Sequence, residues 1–331
     1  MSSSITAIRE IDLQMAELYQ DFLPKKIFDA HIHMYADGTI PGFHNKLAHF
    51  SRAEVTPADY CSDMLALMPG VEQVRLNMMP MPDLSFNDLS LGIRDRANQH
   101  IFQQLDRFPE HVGSAYVMYR DDVQKVWDMV SHPGIKALKC YSFTPRVGVS
   151  NNLSAADFLP ESAWTVANEK KMPIILHLTR LEGLSDPDNF SYIMDMTAKY
   201  QDAKLVLAHC ARGFISWTVI EQIPKLVGRD NIWFDMAAVC EVGPMMASIM
   251  QCAGKRVVWG TDWPICLTRG RAVSMGKSQE WLSETADRPT SYALLATESL
   301  HAFHQTATLL GLDQTQVDDI FYHNAVTLFN A

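Results

Sequence analysis

The segment Phe28-Asp29-Ala30-His31-Ile32-His33 sets two imidazoles two residues apart behind a short apolar lead. In an extended segment successive side chains alternate faces, so His31 and His33 point the same way and Ile32 points the other. Two imidazoles converging on one spot are a pair of metal ligands, and Ile32 stays available to pack behind them. An isolated pair of this kind also arises as polar punctuation at a strand end, so the spacing alone does not decide. Four further groups add weight. Lys139, His177, His209 and Asp262 each close an apolar run: Ile135 to Lys139, Pro173 to His177, Lys204 to His209 and Arg256 to Asp262. A polar group in that place must find a partner or water. One divalent cation would satisfy several of them together, and an N/O donor set points to zinc first, with manganese or iron next.

The elements that must carry these residues follow from periodicity. Apolar spacing at Ile8, Ile11, Leu13, Met15 and Leu18 predicts an N-terminal helix over 6–20. Strands are expected at 26–31, 73–78, 112–118, 135–140, 173–177, 204–209, 231–235 and 256–261. Helices are expected between them at 58–68, 91–107, 121–131, 155–171, 188–200, 216–227 and 241–252, with two more near 290–310 and 314–329. Residues 35–57 are rich in Gly, Pro and His and read as a long loop, a kind that in a compact domain is usually functional. Eight strand-helix units without a low-complexity linker predict an α/β fold, a (β/α)8 TIM barrel. It would be a single domain over 1–331, with an N-terminal helical extension over 1–25 and C-terminal helices over 290–331. An open doubly wound sheet is the competing architecture, but the turn after the first strand holds histidines and no Gly-rich nucleotide loop. In a barrel of this type the functional groups sit at the C-terminal ends of strands, where His31, His33, Lys139, His177, His209 and Asp262 fall.

Bulk properties narrow the classes further. A chain of 331 residues with 47% hydrophobic and 20% charged residues can bury a large core. The net charge of -10, from 28 Lys+Arg against 38 Asp+Glu, argues against a nucleic-acid partner, which would need a basic face. Cys61, Cys140, Cys210, Cys240, Cys252 and Cys266 show no short spacing. Neither a zinc ribbon nor a disulfide scaffold is indicated, and a reduced, cytoplasmic setting is expected. The opening Met-Ser-Ser-Ser-Ile-Thr has no basic region followed by an apolar core, and no 18 consecutive apolar residues occur. Neither a signal peptide nor a membrane span is therefore expected. A homodimer is the expected assembly.

Six segments, in order along almost the whole chain, carry a resemblance. They are Asp29-Ala30-His31-Ile32-His33, Gly134-Ile135-Lys136-Ala137-Leu138-Lys139, Leu176-His177, Leu207-Ala208-His209, Trp259-Gly260-Thr261-Asp262-Trp263-Pro264 and Asn324-Ala325-Val326-Thr327-Leu328-Phe329. Together they resemble the amidohydrolase superfamily, in its amidohydrolase-related branch of small-acid lactonases and nonoxidative decarboxylases. The resemblance implies His31, His33, His177 and Asp262 as ligands of a single divalent metal, with His209 beside it. Such a site leaves a position open for water or substrate. The implied activity is hydrolysis of a small carboxylated lactone or amide by a metal-activated water, with decarboxylation on the same site as the alternative. Asp262 would then take the proton of the attacking water, and His209 would donate a hydrogen bond to the oxygen that gains charge. Lys139, carboxylated in some relatives, is expected to remain an amine that binds an acidic group.

Substrate-facing expectations rest on position alone. Arg180 and Arg212 each lie three residues after a strand-end histidine, and a guanidinium there would suit a carboxylate. Tyr141, Glu241 and Trp263 are candidate wall residues. Met78, Met79 and Met81, with Met34 and Tyr35, are read as either core filling or an adaptable apolar wall. His44 and His49 could line the long first loop.

Overall fold

The structure, a computed structural model, describes residues 8–40, 52–150, 152–284 and 292–331. His44 and His49 lie outside the described residues. β1 spans Lys26–Met34 and is buried from Ile27 onward. An apolar strand buried on both faces has to lie in a parallel sheet covered on both sides. It is followed by β2 (Gln73–Pro80), β3 (Val112–Tyr116), β4 (Ile135–Cys140), β5 (Pro173–Leu176), β6 (Lys204–Leu207), β7 (Ile232–Asp235) and β8 (Val257–Val258). These eight strands pair in sequence order, every neighbouring pair parallel. β8 is short, and the seam to β1 is closed by single backbone bonds. Ala30 N–H donates to Trp259 O (3.0 Å), Asp262 N–H to His31 O (2.8 Å) and His33 N–H to Trp263 O (2.7 Å). The sheet is the (β/α)8 barrel that the alternation predicts.

All eight strands send side chains inward to one apolar layer, made by Phe28, Ala30, Met79, Val112, Ala137, Ile175, Val206, Trp233 and Val258. Ala325, Leu328 and Phe329, from the helix Asn324–Phe329, pack into the same layer and stopper the barrel at the strands' N-terminal end. Asn324 Nδ2–H donates to Gly254 O (2.7 Å) and Val257 O (2.8 Å), which pins that helix to the loop before β8 and to β8 itself. Only the opposite end is free for a site.

Some elements differ from expectation. The N-terminal helix is confined to Glu10–Glu17 and is tied down by buried Asp12, which receives the Arg269 guanidinium at 2.8 Å. The helix expected over 216–227 stops at Ile220, and Ile223–Leu226 forms a 3-10 turn. Pro224 in that turn lacks the N–H a continued helix would need. Gly270–Met275 and Ser278–Ser283 form an antiparallel hairpin, β9–β10, in a stretch with no strand expectation. Among the described residues no helix is long and apolar enough to cross a membrane.

Two core histidines outside the cavity contribute to the acid response of this fold. His100, on the helix Ile93–Arg107, and His111, just before β3, are buried, with His100 Nε2 and His111 Nδ1 meeting no polar partner among the described residues. Burial lowers both pKa values below the ordinary histidine value, outweighing the nearby charges of Glu54 and Glu110. The unfolded chain, with histidines near pH 6.5, therefore takes up protons first as pH falls. The contribution of these two histidines to stability is full above about pH 6.5 and declines below it. Thermal melts should show a midpoint several degrees lower at pH 5.5 than at pH 7.5, and His100→Gln should flatten that slope. An unchanged slope in the variant would exclude His100 as a contributor.

Candidate metal centre and active-site cavity

The upper end of the barrel holds a cavity of about 500 Å³. Its floor is polar, with His31, His33, Lys139, His177, His209 and Asp262. Its wall is largely apolar, with Met81, Pro82, Leu84, Tyr141, Phe143 and Ile265, and carries one acid, Asp83. β1 delivers the first two side chains, and the ring centroids of His31 and His33 lie 5.1 Å apart. A register shift against β2 between Asp29 and Ile32 falls at this point, the kind of irregularity that re-aims side chains.

The proton positions follow from the acceptors behind each ring. His31 Nδ1 lies 2.9 Å from Asp235 Oδ2 and His33 Nδ1 lies 3.2 Å from Pro80 O. A carboxylate and a carbonyl can only accept, so each neutral ring carries its proton on Nδ1 and turns the Nε2 lone pair to the cavity. Asp262 Oδ1 stands 3.1 Å from His33 Nε2 and 3.6 Å from His31 Nε2. The three donor atoms lie within 4.8 Å of one another and all three residues are buried. Lone pairs facing lone pairs at this range repel unless a cation lies among them, so the donor set fits a divalent metal. Burial is the largest influence on both histidines and pushes their pKa values down, His31 strongly, which keeps the ligating neutral form. For Asp262 burial acts upward, and protons on the facing nitrogens of His33, His31 and His209 would act downward and bring the pKa to about 2.

His177 follows β5 directly and lines the same cavity, but it is not part of the close donor group. Its ring packs at 4.8 Å from that of His209 and 4.6 Å from that of Tyr141. His209 stands 5.0 Å from His31, ring to ring. Its backbone is unusual: His209, Cys210, Ala211 and Arg212 have φ of 57°, 50°, 60° and 68°. Left-handed backbone costs roughly 1–2 kcal/mol per non-glycine residue, so the surroundings must hold this turn in place. Asp235 Oδ1 does part of that by accepting the N–H groups of His209 (2.9 Å) and Ala237 (3.1 Å). His209 Nδ1–H donates to Ala237 O at 2.7 Å, so the neutral ring presents Nε2 as an acceptor and donates from it only as imidazolium. Asp262 itself sits at φ 64°.

Lys139 is 1% exposed, with Nζ 3.3 Å from His31 Nε2. Burial lowers its pKa to about 8 against the pull of Asp235 and Asp262. Asp29, on β1 itself, accepts hydrogen bonds from Tyr60 Oη (2.8 Å), Thr261 Oγ1 (2.6 Å) and the N–H of His31 (3.1 Å). It joins β1 to the segment that carries Asp262.

Several expectations about the mouth are corrected. Arg180 is not a cavity residue: Nη1 binds Asp186 at 2.9 Å and Asp188 at 2.7 Å. Arg212 does not line the cavity either. Its Nη1 donates to Leu178 O at 3.4 Å, and its charge is felt by His177 and Tyr141. Glu241 is engaged by Ser274 N–H at 3.2 Å, and Trp263 is fully buried with Nε1–H on Asp63 at 3.2 Å. Tyr141 does line the cavity, and so does Met81, whereas Met34, Tyr35, Met78 and Met79 are core. Asp235 was missed, although Ile232-Trp233-Phe234-Asp235 ends an apolar run in an acid just as the Asp262 segment does.

A search of curated proteins finds no match. Solved structures share the fold at low identity. One is 5-carboxyvanillate decarboxylase of Novosphingobium aromaticivorans, complexed with manganese and 4-hydroxy-3-methoxy-5-nitrobenzoic acid (12% identity, TM-score 0.59, covering 95% of this chain and 97% of that one). A second is a Pseudomonas putida protein assigned as 2-pyrone-4,6-dicarboxylic acid hydrolase (14%, 0.56, 93% and 98%). A third is 4-oxalomesaconate hydratase of Rhodopseudomonas palustris (15%, 0.60, 92% and 95%). The family model described as Amidohydrolase matches residues 28–331, and the chain belongs to that family.

Proposed function

We propose that this protein is a metal-dependent hydrolase that opens a lactone, or cleaves an amide, of a small carboxylated molecule. The observation that carries this reading is the convergence of His31 Nε2, His33 Nε2 and Asp262 Oδ1 as unprotonated donors on the floor of a cavity large enough for a small substrate. His31, His33 and Asp262 would hold the metal, zinc in first place, and His177 completes the polar floor beside them. A divalent ion there supplies Lewis acidity to a substrate oxygen and brings the pKa of a coordinated water to about 7. Asp262, ionised, accepts the proton of the attacking water and returns it to the leaving group. His209 stands beside these groups with its Nδ1–H fixed on Ala237 O, and a proton on its Nε2 would be donated to the oxygen that gains charge. The apolar wall from Met81 to Ile265 takes the body of the substrate.

Lys139 is the cation facing the cavity and is assigned to the substrate's acidic group. Lys139→Met should raise KM roughly 10- to 100-fold with a smaller change in kcat, the loss of one charge-assisted hydrogen bond. An unchanged KM in steady-state assays would remove Lys139 from the substrate site.

A second reading is nonoxidative decarboxylation. The wall of Met81, Pro82, Leu84, Phe143 and Ile265 favours it, because an apolar surround disfavours a carboxylate more than the carbanion-like state whose charge is delocalised. The deciding experiment incubates the zinc-loaded and manganese-loaded protein with pyrone carboxylates and hydroxybenzoates. Ring-opened acid without carbon dioxide supports hydrolysis, and carbon dioxide supports the second reading. Silence across the panel counts against both.

A further inference from the structure

The buried carboxylate of Asp235 lies under the site without lining the cavity, and it receives three N–H groups. Oδ2 faces His31 Nδ1 at 2.9 Å, while Oδ1 takes the backbone N–H groups of His209 at 2.9 Å and Ala237 at 3.1 Å. Both the His31 and Asp235 side chains are 1% exposed, so water does not compete for these bonds. We propose that Asp235 is a positioning residue that holds His31 in the Nδ1–H form and ties its ring to the left-handed turn carrying His209. This rests on the reading of His31 as a metal ligand.

The argument turns on what cannot change. The two backbone N–H groups are permanent donors, so whichever side chain stands at 235 must offer them an acceptor. A carboxylate meets that need and still has an acceptor left for the ring. An asparagine has one oxygen and one NH2 group. If its oxygen serves the backbone, its NH2 faces His31 Nδ1, which must then accept. The imidazole proton moves to Nε2, where it covers the lone pair that would bind metal. Asp235→Asn is therefore expected to invert the tautomer of a ring on the far side of the barrel seam, with almost no change in shape. Partners behind a ligating histidine set its affinity by roughly 10- to 100-fold.

The test uses the full chain, 15N-labelled at histidine and free of metal, with long-range proton–nitrogen spectra to read each tautomer. His31 should be Nδ1–H in the native protein and Nε2–H in Asp235→Asn. Chelator competition with Zn²⁺ should show the variant binding roughly 10- to 100-fold more weakly. Asp29→Asn is the control, because Asp29 accepts the backbone N–H of His31 at 3.1 Å and not its ring. It should leave the tautomer as in the native protein. The proposal is overturned by an Nε2–H ring in the native protein, by the same tautomer in both Asp235 forms, or by an equal inversion in the Asp29 control. Should Asp235→Asn not accumulate folded, the native spectrum still decides. A native protein that binds no Zn²⁺ would sink the metal reading while leaving the tautomer comparison to judge Asp235.

Discussion

Asp262→Asn lowers turnover by roughly 10³-fold while substrate affinity changes only a few-fold, if the carboxylate acts as described. An amide keeps the shape and one oxygen but cannot accept a proton at neutral pH. The native carboxylate, with its pKa brought down to about 2, is ionised throughout the working range. Metal content has to be measured on the same sample, because the substitution also weakens one of the three converging donors. Turnover within tenfold of native, with metal retained, would show that some other group moves the proton. A protein that merely binds small acids would show no difference between the two forms beyond affinity.

Stripping the metal is the second large effect. Dialysis against a chelator should abolish turnover, and restoring about one equivalent of Zn²⁺ or Mn²⁺ per chain should bring it back. Binding to the folded state alone also stabilises it, by about 4 kcal/mol at a free concentration a thousand times Kd. For a chain of this length that corresponds to a rise of roughly 6 °C in the thermal midpoint. Activity that survives exhaustive chelation, or a midpoint indifferent to Zn²⁺ and Mn²⁺, would remove the metal from the scheme. Two equivalents in place of one would point to a second ligand set that includes Lys139.

The barrel was legible because β and α periodicities alternate strictly, and sequential parallel pairing is the compact way to use that alternation. The floor residues were legible for the same reason: a strand end is defined by where its apolar run stops, as at His33, Lys139 and Asp262. What lies beyond the strand ends was not. Arg180 and Arg212 occupy comparable offsets after histidines, yet Asp186 and Asp188 claim the first, and the second ends a left-handed turn and donates to Leu178 O. Nothing in His-Cys-Ala-Arg announces four consecutive positive φ values, since residues of that kind rarely adopt them without tertiary support. Phe143 and Ile265 reach the cavity from loops, where no periodicity aims a side chain. Asp235 is different: the signal that singled out Asp262 was present and went unused, because its partners, His31 Nδ1 and two backbone N–H groups, come together only in the folded chain.

The stopper supplied by Ala325, Leu328 and Phe329 bears on how the molecule is assembled during synthesis. β1 leaves the ribosome early, but the inward faces of Phe28 and Ala30 wait for the last helix before they are sealed from water. No nascent fragment lacking residues 324–329 has a closed base, so vectorial folding can prepare the staves but cannot finish the vessel. Contacts between segments so distant in sequence slow the closing step, and they make the platform beneath His31 and Asp262 depend on the helix Asn324–Phe329.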